Sequence, residues 1–371
     1  MKNKHFKNFS YVAIGRAVSA ALHGIFYLVF ATIFNPDAYG QMSYFIALAG
    51  TFSIIFRFGL PFTVTVYQAK KNHLMTDQIN FLVLFTASTS AVILLFINIY
   101  AALFCLGLSF FLMSQQNLLG LKEYKKQMWM SITQGSLLIV LAISLYFILD
   151  IPGILLGMGL STILTSYYYF KSLKRKVPSL KNLQSNYKVL IHNFGFDVSI
   201  NLPRMIDKLV IVPILGFAIA GLYQFNLQIL LLLEIFPLAL HQFMLSEESS
   251  GTSNKKMGYL AVLGSGLVAI IVILVAPTFV DLFFPKFQEG ILGLQLMVIS
   301  IIPLTISAIV NAKLQAREST KVGYAAIVRI GSLIGFIVLL GEQYFLTGLS
   351  LAVLFSTSLN AIFLLFLYFK K

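Results

Sequence analysis

From residue 10 to residue 369 the chain repeats one pattern: roughly twenty residues with scarcely a charge, a few polar residues, then another apolar run. About twenty helical residues, at ~1.5 Å each, cross the ~30 Å hydrocarbon core of a bilayer. In hydrocarbon the backbone must satisfy its own N–H and C=O groups, so each run is predicted to be a membrane-spanning α-helix. Composition agrees: 11% of the 371 residues are charged and 58% are apolar, whereas a soluble domain carries roughly 25% charged residues.

Spans are predicted at 10–33, 41–66, two within 79–119 with a tight turn near Asn98, 128–149, 152–170, 191–215, 218–245, 257–280, 291–312, 322–340 and 344–369. That makes about twelve transmembrane helices in an all-α integral membrane protein. The cations test this map. With the N-terminus inside, 21 of the 27 Lys and Arg fall in inside segments, Lys286 alone falls outside, and five lie within spans. Cationic segments resist translocation, so this alternation predicts an even number of crossings, a multi-pass protein of the cytoplasmic membrane, and both termini cytoplasmic. The net charge of +14 is thereby an orientation signal, and no nucleic-acid partner is expected.

One polar stretch is long. Residues 171–190 carry Lys174, Arg175 and Lys176, then Pro178, and six spans lie on either side. The predicted organisation is an N-terminal lobe (1–170), a basic cytoplasmic linker (171–190) and a C-terminal lobe (191–371). The linker cations suit orientation or anionic lipid headgroups equally well. A weak repeat supports two halves: Ala38-Tyr-Gly opens the second helix, Ala220-Gly-Leu-Tyr opens the eighth, and Gly40 and Gly221 are 181 residues apart.

Enzyme chemistry finds no foothold. The sequence has no G-x-x-x-x-G-K-[ST] phosphate loop and no H-E-x-x-H. Its five histidines are scattered and Cys105 is its only cysteine, which excludes an internal disulfide and a thiolate metal site. The external loops are too short for the acceptor site of a glycan polymerase. The expectation is a protein that is not an enzyme and holds no cofactor, with an H⁺ or Na⁺ coupling ion as its only small partner.

The informative residues are the charges that lipid should reject. A charge at the bilayer centre is disfavoured by ~2.5–3.5 kcal/mol on insertion scales, yet Arg16, Arg57, Asp197, Arg204, Asp207, Lys208, Glu234 and Arg329 fall within predicted spans. All but Arg329 lie on the first two helices of a half. On helix seven, Asn193, Asp197, Asn201, Arg204 and Lys208 step by 4, 4, 3 and 4, which places them on one helical face. Such a face must see protein or water. Against this, Arg16 and Asp197 lie about two turns from the inner boundary and can snorkel, and Arg204 and Asp207 at i, i+3 can neutralise each other. His23 and His241 read as packed polar residues. The five cations and three carboxylates leave a surplus of two positive charges, suited to an anionic cargo, because Arg grips phosphate through paired charge-assisted hydrogen bonds.

Three stretches carry a resemblance: residues 13–18 continuing to Ile33-Phe-Asn-Pro-Asp-Ala-Tyr-Gly-Gln-Met, Phe56-Arg-Phe-Gly-Leu-Pro, and Ile206-Asp-Lys-Leu-Val-Ile-Val-Pro-Ile-Leu-Gly followed by Ala220-Gly-Leu-Tyr-Gln. With the twelve-helix layout, the chain resembles the polysaccharide-biosynthesis transporters, the repeat-unit flippase branch of the multidrug/oligosaccharidyl-lipid/polysaccharide exporter superfamily. The resemblance implies two six-helix lobes around a central cavity lined by helices one, two, seven and eight. It implies alternating access and a polyprenyl-(di)phosphate-linked sugar or oligosaccharide as cargo, with membrane lipids and glycan-assembly enzymes as partners. The phosphate-binding role carries over to Arg16, Arg57, Arg204 and Lys208. Asp197, Asn201, Asp207 and Glu234 are expected to orient these cations or bind the coupling ion. The alternatives are a drug or cation antiporter of the same superfamily, a glycan polymerase or ligase, and a scaffold that transports nothing.

Overall fold

The computed structural model describes residues 2–173, 186–249, 255–316 and 322–370. Among them there is no strand. In chain order the helices are α1 (Lys2–Ile33), α2 (Pro36–Arg57), α3 (Leu60–Ala69), α4 (His73–Leu95), α5 (Ile99–Gly120), α6 (Tyr124–Thr165) and α7 (Tyr167–Ser172). They continue with α8 (Tyr187–Asn201), α9 (Pro203–Leu233), α10 (Ile235–Ser249), α11 (Lys255–Phe283), a 3₁₀ turn (Pro285–Gly290), α12 (Ile291–Val298), α13 (Ile301–Ala316) and α14 (Val322–Phe369).

Nine helical stretches among the described residues are long and apolar enough to cross a membrane. Three of them, of 42, 43 and 47 residues, are about twice the length that one crossing needs. Each is broken by a residue outside helical geometry: Asp150 (φ 53°), Gly216 (φ 80°) and Phe345 (φ 49°). Each of the three is therefore long enough for two crossings, with α8 completing the first of those in Pro203–Leu245, which gives twelve among the described residues. Pro152, two residues after Asp150, lacks the N–H that a continuous helix would use. At the predicted turn near Asn98, the Asn98 side chain accepts from Ala101 N at 2.9 Å and caps α5.

Several spans differ from their predicted form. The second is not one helix over 41–66: it starts at Pro36 and breaks at Phe58 and Gly59. The third starts at His73, because Asn72 caps it by accepting from Met75 N at 3.1 Å. The seventh starts at Tyr187 and breaks at Leu202, ahead of Pro203, whereas Pro213 sits inside α9. The tenth breaks at Ile299 and Ser300, between α12 and α13. The basic triplet 174–176, Pro178 and Lys181 lie outside the described residues.

The chain forms two compact units, Met1–Leu28 with Phe45–Met205, and Val29–Tyr44 with Ile206–Lys371. In the first, α3, α4, α5 and α7 share a core of Leu60, Val64, Ile79, Val83, Phe110 and Met113. Tyr169 closes it, its ring stacked on Phe110 with centroids 4.9 Å apart and its hydroxyl donating to Asn80 O at 2.7 Å. In the second, Tyr39, Phe225 and Phe287 pack together, and Lys286 Nζ donates to Ile33 O at 2.7 Å.

Gly40 and Gly221 meet within the second unit. A Cβ on Gly40 would lie 1.9 Å from Phe217 O, and one on Gly221 would lie 1.8 Å from Pro36 O. Each glycine thus faces the carbonyl four residues before the other. That reciprocity is the signature of a local twofold relation between α2 and α9.

Candidate functional site

Arg57 ends α2 in the first unit. Its Nε donates to Asp197 Oδ2 at 3.1 Å and its Nη2 to Asp197 Oδ1 at 3.0 Å, a two-pronged ion pair between α2 and α8. Arg57 is 4% exposed and Asp197 0%. A buried pair of this kind holds only where the surrounding groups supply further hydrogen bonds, and here each guanidinium nitrogen and both carboxylate oxygens have a partner. Arg57 Nη1 donates to Ser53 Oγ at 3.1 Å, Ser53 shares a hydrogen bond with Ser109 at 2.9 Å, and Asn201 Nδ2 donates to Asp197 Oδ1 at 2.8 Å.

The break after Arg57 makes room for this approach. Gly59 has φ 68°, a left-handed conformation that disfavours any other residue. A Cβ there would lie 2.3 Å from Phe194 N. The backbone of α8 therefore lies directly against the α2–α3 break. Phe58 stacks on Phe194 at 4.5 Å, and Asn193 Nδ2 donates to Thr63 Oγ1 at 2.8 Å.

A second buried cluster lies in the other unit. Lys208 Nζ donates to Asp207 Oδ1 at 2.8 Å, and Tyr223 OH donates to Asp207 Oδ2 at 2.9 Å. All three residues are at most 4% exposed. Beyond them, Glu234, in the break between α9 and α10, faces Arg329 of α14 with 3.9 Å between Oε1 and Nη2. That separation is an ion pair rather than a hydrogen bond.

The eight intramembrane charges thus include three opposite-sign pairs: Arg57–Asp197, Lys208–Asp207 and Arg329–Glu234. Arg16 on α1 and Arg204 on α9 are both exposed. The helix-seven stripe is divided by the break at Leu202. Asn193, Asp197 and Asn201 bond within the first unit, while Lys208 bonds within the second. Asp207 accepts hydrogen bonds from Lys208 and Tyr223.

Sequence reasoning missed Ser53, Thr63 and Tyr223. Tyr223 was within reach of it: Asp207 and Tyr223 lie nine residues before and seven after the Gly216 turn, hence at similar depth on antiparallel helices. Ser53 and Thr63 carried no such signal. Among the described residues, no three His, Cys, Asp or Glu side chains are grouped as a metal site.

No protein-family model matches the chain, and no curated protein does. Solved structures do. An inward-facing multidrug resistance MATE family transporter of the MOP superfamily superposes with a TM-score of 0.75 at 14% identity, over 96% of this chain and 97% of that one. The lipid II flippase MurJ in an inward closed conformation gives 0.71 at 15% identity, over 96% and 86%. A MOP superfamily transporter from Pyrococcus furiosus, described by the reverse polarity of its binding pocket, gives 0.60 at 14%, over 98% and 94%. The chain has the fold of these transporters.

Proposed function

We propose that the protein is a cytoplasmic-membrane flippase. It moves a polyprenyl-(di)phosphate-linked sugar or oligosaccharide to the outer leaflet by alternating access, for surface polysaccharide or glycoconjugate synthesis. The observation that carries this reading is the disposition of charge. The three intramembrane carboxylates, Asp197, Asp207 and Glu234, each face a cation, which leaves little negative charge for a cationic drug. The eight intramembrane charges sum to a surplus of two positive charges, which a phosphate headgroup needs, and Arg16 and Arg204 are exposed. Sharing a fold with a lipid II flippase supports the same class of cargo.

In this mechanism Arg16 and Arg204 make the first phosphate contacts. Arg57 and Lys208 wait on their carboxylates, and the arriving phosphate competes for them. A proton or Na⁺ at Asp197 or Asp207 would release the cation held there, which couples the ion to the cargo. Both termini are cytoplasmic and glycan-assembly enzymes supply the substrate.

The test uses purified protein in liposomes containing a fluorescent polyprenyl-diphosphate sugar, with a membrane-impermeant quencher reporting the outer leaflet. Label should exchange between leaflets faster than in protein-free liposomes. Arg16→Ala and Arg204→Ala should each lower the rate by about tenfold or more, as loss of a charge-assisted contact of ~1.5–3 kcal/mol implies. Absence of exchange, together with uptake of organic cations by the same vesicles, would establish the antiporter instead.

A further inference from the structure

A groove of about 570 Å³ lies in the first unit where α6 begins and α7 follows it, lined among others by Lys125, Lys126, Trp129, Thr133, Tyr167 and Tyr168. We infer that it is a binding site for an anionic glycerophospholipid of the bilayer. None of its residues belongs to the charge clusters described above, so the inference does not depend on the transport reading.

The lining is amphipathic along one direction. Lys125 and Lys126 stand in the first turn of α6, beside a loop that the charge pattern predicts to be cytoplasmic. Trp129 and Thr133 follow at the next turns of the same helix, and Leu164 and Thr165 bound the groove opposite. A headgroup phosphate thus meets ammonium groups at the inner end, and the glycerol and acyl chains meet aromatic and apolar surface further in. Lys126 pairs with Glu123, but both side chains are exposed, at 54% and 36%, and such surface pairs hold their partners weakly. Lys125 is exposed as well.

The aromatic residues argue that something covers the groove. Trp129 is 55% exposed and Tyr167 is 61% exposed. Trp and Tyr settle at headgroup level, where an apolar ring and a polar edge are both satisfied. Their place beside two lysines favours an anionic lipid over a zwitterionic one, since cytoplasmic-leaflet basic groups attract negative headgroups.

Trp129 is the only tryptophan in the chain, so its fluorescence reports this groove alone. The protein is reconstituted into vesicles carrying acyl-brominated lipid at one fixed mole fraction, either phosphatidylglycerol or phosphatidylcholine. Quenching should be about twofold stronger with the brominated anionic lipid, and Lys125→Gln with Lys126→Gln should abolish that excess. Lys70→Gln with Lys71→Gln, in a different basic loop, should leave it intact. Equal quenching by the two lipids would overturn the proposal, as would equal loss in the control variant. Relief of quenching by traces of unlabelled polyprenyl phosphate would also overturn it, assigning the groove to a lipid carrier.

Discussion

Arg57 shows how far one side chain's role depends on its partner. By position alone it is a charge inside a membrane helix, equally fit to bind cargo or to hold a fold. In the structure it is 4% exposed and gripped at both prongs by Asp197. Removing one partner of such a pair strands the other charge, which costs about 3–5 kcal/mol, whereas replacing both with apolar residues is often neutral. Asp197→Ala is therefore expected to lower the thermal midpoint of the detergent-solubilised protein by several degrees. Arg57→Met with Asp197→Leu should recover most of the loss. If the single variant melts like the parent, the pair contributes nothing to this state. The sequence disclosed the depth of both residues, because each lies in the inner half of its span. It did not disclose that they touch: 140 residues separate them, and the contact depends on the break at Gly59, which no hydropathy pattern records.

Helices were the legible element, since lipid imposes both their length and their internal hydrogen bonding. Breaks within a crossing were less so. Pro203 directly follows one, but Pro213 lies within α9, and the breaks at Gly59 and Ser300 have no proline at the break residue itself. Gly40 and Gly221 are the opposite case. A faint repeat singled them out, and the structure brings them backbone to backbone, so that a methyl on either collides with a carbonyl on the other helix. Gly40→Ala and Gly221→Ala should each lower the melting temperature, since overpacking a tight contact costs about 1–3 kcal/mol. The double variant should fall well short of the sum of the two, because the first methyl already separates the helices. Gly264, with nothing within 4 Å of an added Cβ, is the control: Gly264→Ala should melt like the parent. Strict additivity of Gly40→Ala and Gly221→Ala would remove the shared crossing.

At the scale of the molecule, the chain passes between its two compact units within α1, within α2 and within α9, at residues 28–29, 44–45 and 205–206. Helix seven is therefore divided: α8 packs with α2 and α3, while α9 beyond residue 205 belongs to the other unit. Alternating access, if this protein transports as proposed, requires some such packing to exchange during each cycle. The contact of α8 with α2 and α3 is one candidate: it carries the Arg57–Asp197 and Asn193–Thr63 bonds beside the apolar contacts of Leu190 and Phe194. A cysteine pair tests this. Thr63 and Asn193 are joined side chain to side chain at 2.8 Å, and replacing Cys105 with Ala leaves no other thiol. In Thr63→Cys/Asn193→Cys protein, a short bifunctional thiol reagent should stop leaflet exchange, while each single-cysteine variant treated alike continues. With a linker cleavable by reductant, exchange should return on cleavage. Undiminished exchange in fully cross-linked protein would show that α8 stays on α2 and α3 throughout the cycle, and the moving contact would then have to be sought on the 206–371 side of helix seven.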